Sequence, residues 1–302
     1  MRTRVYELEP RAPYSLHLTF TGTEPAFPTV YDGRCLWRVV KTDEGLVPAR
    51  VEQVGPRDEP LLRMEFFSRE GEEEALEALC RFLCVRDDLG SAYSRLGREE
   101  RLRAMLPYVM GMMPWTAFRP FEGLIDAILF QQISLRAAFS IIRRFVEGLG
   151  RPVRIGHRVL YAFPGPEDIV RAGRESLRSL GLSRNKAIYV LGLAEAVLEG
   201  LDVEELESKP ADEAVEVLMG LKGVGRWTAE IFLATGLKKW EVVPADDLGV
   251  RRAFRQLLGV EDTAAIRAVA SGWGRDAWPI AYYMLVWCER KERLVGALEE
   301  AR

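Results

Sequence analysis

Asp246 and Asp247 sit between Val243-Pro244-Ala245 and Leu248-Gly249-Val250, where a helix begins. A carboxylate held at such a point can take a proton or stabilise a positive charge that develops next to it. Upstream lies Leu221-Lys222-Gly223-Val224-Gly225-Arg226-Trp227-Thr228, which reads as two helices joined by a glycine hairpin. Glycines without Cβ let a backbone approach a ligand closely. The amides opening the next helix favour an anion. The stretch Leu221, Lys222, Gly223, Val224, Gly225, Arg226, Thr228 is therefore a candidate phosphate grip. Its spacing fits neither the dinucleotide fingerprint nor a phosphate-binding P-loop. Taken alone, the glycine pair marks only a tight turn, and both aspartates would serve as plain helix caps.

The chain must position these residues within 302 amino acids, 48% hydrophobic and 29% charged, with a net charge of -3. These are the proportions of an ordinary globular protein with a real core. No stretch has the apolar length of a membrane span, and the first residues do not suit a signal peptide. A cytoplasmic, prokaryotic setting and a monomer are expected. Residues 218–255 hold seven Lys/Arg against four acids, so positive charge gathers around the hairpin. Nucleic acid is thus compatible with a mildly acidic chain. Cys35, Cys80, Cys84 and Cys288 lack the spacing of a metal site, and His17 and His157 stand apart. No metal is expected.

Residues 14–68 read as β-rich. Ser15–Phe20 alternates, Cys35–Val40 follows the turn Asp32-Gly33, and Val47–Val54 and Leu62–Phe67 are further strands. Asp43-Glu44-Gly45 is a hairpin turn. Glu73–Val85 is a helix covering one face. From about residue 90 the period is helical: Phe121, Leu124, Ile125, Ile128, Leu129 and Ile133 form a stripe that continues to Phe145. Helices follow over 166–172, 175–180, 186–198 and 210–219, then the hairpin. Thr263 and Asp276 are expected caps of the last two helices. The fold class is α+β: an antiparallel sheet domain over 1–105 and an all-α unit over 106–302.

Leu221-x-Gly223-Val224-Gly225-x-x-Thr228-Ala229, then Val243-Pro244 and an Asp before a helix, resembles the helix-hairpin-helix DNA glycosylases. Phe121-Glu122-x-Leu124 through Gln131-Gln132-Ile133-Ser134 resembles the segment opening their catalytic core. The nearest resemblance is to the 3-methyladenine DNA glycosylase II branch, over roughly residues 110–290. The resemblance implies a sheet domain followed by two helical lobes. It implies a partner, double-stranded DNA with damaged bases, and hydrolysis of the N-glycosidic bond of alkylated purines to leave an abasic site. No cofactor is implied.

A base inside a duplex must be flipped out before such chemistry, at roughly a few kcal/mol. Breaking its bond leaves oxocarbenium character on the sugar, which a fixed carboxylate stabilises. A bare Pro-x-Asp register selects Asp246; Asp-x-Gly-Val-Arg, as in the alkylation branch, selects Asp247, which is taken as catalytic. Trp227 and Trp287 fall where that branch has active-site tryptophans, and Ile231 where it has a tyrosine. Trp227 also occupies the position of the lysine nucleophile of bifunctional relatives, which implies a monofunctional enzyme. Gln132 falls where relatives fill the gap left by the flipped base. A glycosylase for oxidised or deaminated bases, or a non-catalytic DNA-binding hairpin protein, are the alternatives.

Overall fold

The computed structural model describes residues 3–68 and 70–300. Strands β1 (Arg4–Leu8), β2 (Val30–Tyr31), β3 (Cys35–Thr42), β4 (Gly45–Gln53) and β5 (Leu62–Phe66) form an antiparallel sheet ordered β1-β5-β4-β3-β2. Thr42 pairs with Gly45, which leaves Asp43-Glu44 as a two-residue turn. Helix α1 (Leu16–Gly22) lies between β1 and β2, and α2 (Glu72–Phe82) packs on β3.

Within Ser15–Phe20, Leu16 onward is helical and Ser15 is the cap, which corrects the reading of this run as a strand. The Ser15 hydroxyl caps the helix by accepting from the Leu18 amide at 3.0 Å. In so short a run, burial of Leu16 and Leu18 fits either period, so the cap and the packing decide. A Cβ on Gly22 would stand 3.0 Å from Leu294, at the far end of the chain.

The helical part runs α3 (Gly90–Arg98), α4 (Leu106–Val109), α5 (Pro120–Phe130) and α6 (Leu135–Leu149). Then come a hairpin of β6 (Pro152–Ile155) and β7 (Arg158–Tyr161), α7 (Pro166–Ser179) and α8 (Arg184–Leu198). Next are α9 (Ala211–Met219), α10 (Arg226–Thr235), α11 (Leu248–Leu258), α12 (Thr263–Ser271) and α13 (Ala277–Glu300). The stripe from Phe121 onward is broken between α5 and α6, where Gln132 has φ 55° and Ser134 caps α6. Gly173 kinks α7 with φ 69°, matching two expected short helices. Asp262 rather than Thr263 caps α12, its side chain accepting from Ala265 at 3.0 Å. The β6–β7 hairpin is an addition; its Leu160 and Ala162 pack with Cys35, Trp37 and Val39 on the sheet.

Two large cores result. One joins the sheet, α2, α3 and α4 to α11, α12 and α13; the other holds residues 124–237. A boundary at residue 105 therefore divides β-rich from helical sequence but cuts through the first core. The last helix returns to the N-terminal part of the chain, packing on α1, α3 and α4, because α13 is apolar on nearly every face over 277–288 and needs cover all round.

Candidate active site

Between the two cores opens a cleft of about 1660 Å³. Asp247 stands on its wall as the N-cap of α11. Pro244-Ala245-Asp246-Asp247 forms a turn closed by the Asp247 amide on the Pro244 carbonyl at 2.9 Å. Asp247 Oδ1 accepts from the amides of Gly249 at 2.8 Å and Val250 at 3.0 Å. Oδ2 accepts from the indole Nε1 of Trp227 at 3.0 Å. A carboxylate offers about four acceptor sites. Three are engaged by N–H groups, and the remaining one belongs to Oδ2. This carboxylate is fixed in orientation, half-buried, and still able to accept one more partner in the cleft.

Asp246 also borders the cleft but is exposed, and its Oδ2 accepts from Arg267 at 2.7 Å. The same guanidinium nitrogen holds Glu230 at 2.9 and 3.0 Å. Burial pushes the Glu230 carboxyl up against the pull of Arg267. Asp246 is thus bound into a structural ion-pair cluster, and Asp247 is not.

The hairpin between α9 and α10 forms another part of the wall. Gly223 has φ 87°, and a Cβ there would run into the Tyr189 ring. Gly225, with φ -92°, is the N-cap of α10, and a Cβ there would meet nothing within 4 Å. The backbone at Gly225 is open to a ligand, and the first amides of α10 lack intrahelical acceptors. Gln131, at the end of α5, donates to the Gly223 carbonyl and the Thr228 hydroxyl, both at 2.8 Å, and so pins the hairpin.

Leu221, Lys222, Gly223, Val224, Gly225, Trp227, Thr228, Ile231, Gln132 and Asp247 all line the cleft. Arg226 does not; it points to Glu230 at 3.5 Å. Trp287 is a correction. It packs on Tyr108 with centroids 5.1 Å apart, under the Lys291 ammonium, and takes no part in lining the cleft. Two residues from Leu285 on a helix, it faces the other way. The cleft instead takes Trp278, Tyr282, Leu285 and Glu289 from α13, a helical i, i+4, i+7, i+11 row. That row was the missed signal. Trp115 and Phe130 complete the aromatic wall. Lys186, also on the wall, is held by the Leu129 carbonyl at 2.7 Å, and burial lowers its pKa.

Buried Cys35, Cys80 and Cys84 are free thiols, raised in pKa by burial. Among the described residues no helix is long and apolar enough to cross a membrane.

Fold and site together define a helix-hairpin-helix protein with one oriented carboxylate in an aromatic cleft. The family model for HhH-GPD superfamily base excision DNA repair proteins matches residues 125–273. The chain is 30% identical to the 3-methyladenine DNA-glycosylase from Archaeoglobus fulgidus, with a TM-score of 0.83 over 93% of this chain and 98% of that one. It therefore belongs to the HhH-GPD superfamily of base excision DNA repair proteins. DNA-3-methyladenine glycosylase 1 of Schizosaccharomyces pombe is 37% identical over 142 residues, 46% of this chain and 58% of that protein. A structure of the S. pombe 3-methyladenine DNA glycosylase in complex with abasic DNA is 28% identical, with a TM-score of 0.53 over 65% of this chain and 94% of that one. The chain spans about half the length of the curated relatives it matches.

Proposed function

We propose that the chain is a monofunctional DNA glycosylase that excises alkylated purines, of the 3-methyladenine and 7-methylguanine class, from double-stranded DNA. The observation that carries this reading is the Asp247 carboxylate, held by three N–H donors with its last acceptor site in the cleft. Backbone amides of the Gly223–Gly225 hairpin hold a phosphate of the damaged strand. Gln132, in its left-handed conformation at the cleft edge, fills the gap in the duplex. The flipped base stacks against Trp227 and Ile231, the partly exposed side chains of the cleft wall, where an aromatic face attracts a cationic ring by about 0.5–2 kcal/mol. As the bond to the base breaks, Asp247 stabilises the oxocarbenium sugar and positions the attacking water.

The similarity to 3-methyladenine DNA glycosylases supports the same reaction class. Trp227 stands in place of a lysine nucleophile, and Lys186 is tied to the Leu129 carbonyl. The test is incubation with methylated duplex DNA. Free 3-methyladenine and 7-methylguanine are expected, with abasic sites left uncut. Binding without release of any base would leave only a DNA-binding hairpin protein.

A further inference from the structure

The rim of the cleft is more apolar than a grip on a phosphate backbone requires. Ile133 just before α6, Leu135 opening α6, Met219 ending α9 and Leu248 opening α11 are large apolar side chains left exposed, and all four line the cleft. Exposed apolar side chains elsewhere, such as Val5 on β1, Val159 on β7 and Leu198 on α8, lie on separate elements. Single exposed apolar residues are ordinary, whereas a group of them around one opening marks a contact surface.

Leu248 is the most exposed of them, at 73%. It follows Asp247 directly, so its backbone is fixed by the same turn and cap that orient the carboxylate. Val250, two residues on, is the one that enters the core. Charge for phosphates is supplied separately by Arg136 and Lys222 on the same cleft wall. A leucine has nothing to offer a phosphate. What it can meet in nucleic acid is a sugar or the flat face of a base, and apolar side chains reach base faces by inserting at a step that has been opened.

We propose that Leu248 is an apolar wedge. As the damaged nucleotide leaves the stack, the leucine packs on the face of the neighbouring base in the same strand and holds the step open, while Gln132 fills the gap. The proposal rests on the glycosylase reading above, which sets the damaged sugar against Asp247. Consecutive Cα atoms are about 3.8 Å apart, and consecutive bases of a strand are about 3.4 Å apart along the duplex. A side chain one residue from the carboxylate is thus placed for the nucleotide next to the flipped one. Leu248 touches no reacting atom; it is a positioning residue that acts only on the opened duplex.

The test measures Kd for a duplex carrying a stable abasic-site analogue and for the same duplex undamaged. Leu248→Ala is expected to bind the abasic duplex roughly tenfold more weakly, the scale of one buried apolar side chain, and the undamaged duplex within twofold of the parent. That loss is expected to be the same at about 50 and 200 mM salt, because a leucine releases no counterions. Leu248→Met is expected to keep the parent's affinity, and Leu248→Lys to bind no better than Leu248→Ala. All three are expected to melt like the parent, since the side chain is outside the core. A fluorescent adenine analogue as the neighbouring base is expected to change its emission on binding the parent, and less than half as much with saturating Leu248→Ala. Tighter binding by Leu248→Lys, an equal loss on the undamaged duplex, or Leu248→Ala within twofold of the parent overturns the proposal. Base release by the parent from methylated DNA reports separately on the glycosylase reading: release beside an inert Leu248 sinks the wedge alone, and a Leu248 effect without release sinks the enzyme alone.

Discussion

Trp227→Phe separates stacking on the base from control of the carboxylate. The indole Nε1 donates to Asp247 Oδ2 at 3.0 Å; Phe retains an aromatic face and removes that donor. A hydrogen bond to a charged group is worth about 1.5–3 kcal/mol net. At about 1.4 kcal/mol per tenfold in rate, complete loss of the bond corresponds to roughly ten- to hundredfold in single-turnover excision. The two cap bonds from Gly249 and Val250 bind only Oδ1. They keep the carboxylate in place but leave Oδ2 free to rotate or to recruit water, so the lower half of that range is expected. Affinity for abasic-site DNA is expected to stay within twofold. A double-mutant cycle with Asp247→Asn locates the effect: if the indole acts through the carboxylate, Trp227→Phe costs almost nothing further once Asp247 is gone. Full activity of Trp227→Phe, or losses that simply multiply in the double variant, would refute this reasoning and return Trp227 to a stacking role.

Gly223→Ala is expected to destabilise the fold by roughly 1–3 kcal/mol through its positive φ, and more through the clash with Tyr189, as read by thermal melting. Gly225→Ala is expected to cost no more than about 1 kcal/mol, the difference between Gly and Ala at an N-cap, and to bind DNA more weakly, because its Cβ meets no protein atom and stands in the way of a ligand. Borohydride added during turnover is expected to trap no covalent protein–DNA adduct; a cross-link would assign a lysine nucleophile. Asp126→Asn is expected to raise Tm, and by more at pH 8 than at pH 4. The folded chain keeps a proton on Asp126 that the unfolded chain releases above its ordinary carboxylate pKa of about 3.9, so this group weakens folding as pH rises from there toward its raised folded value. Equal shifts at both pH values would remove that charge from the account.

What could be read from the chain was what short segments carry by themselves. The hairpin, the β3–β4 turn and the carboxylate before α11 each depend on a few adjacent residues, and each stands where it was expected. The choice between Asp246 and Asp247 rested on register alone. In the fold the two differ because Arg267, from α12, takes Asp246 while the start of α11 and Trp227 take Asp247. Trp287 was misplaced for a related reason. Residues 277–288 are apolar on almost every face, so their pattern does not say which row meets the cleft and which meets Tyr108. Asp126 is one polar residue within the apolar stripe of α5, and its burial beside the Arg38–Glu122 pair emerges only when β3 delivers Arg38 to Glu122.

Single-turnover release of 7-methylguanine from duplex DNA by the parent, Asp247→Asn and Asp246→Asn bears most directly on the catalytic assignment. The parent and Asp246→Asn are expected to release the base at rates within a few-fold of each other. Asp247→Asn, which keeps a good helix cap, is expected to bind the DNA and release none. An active Asp247→Asn beside an inactive Asp246→Asn would contradict it.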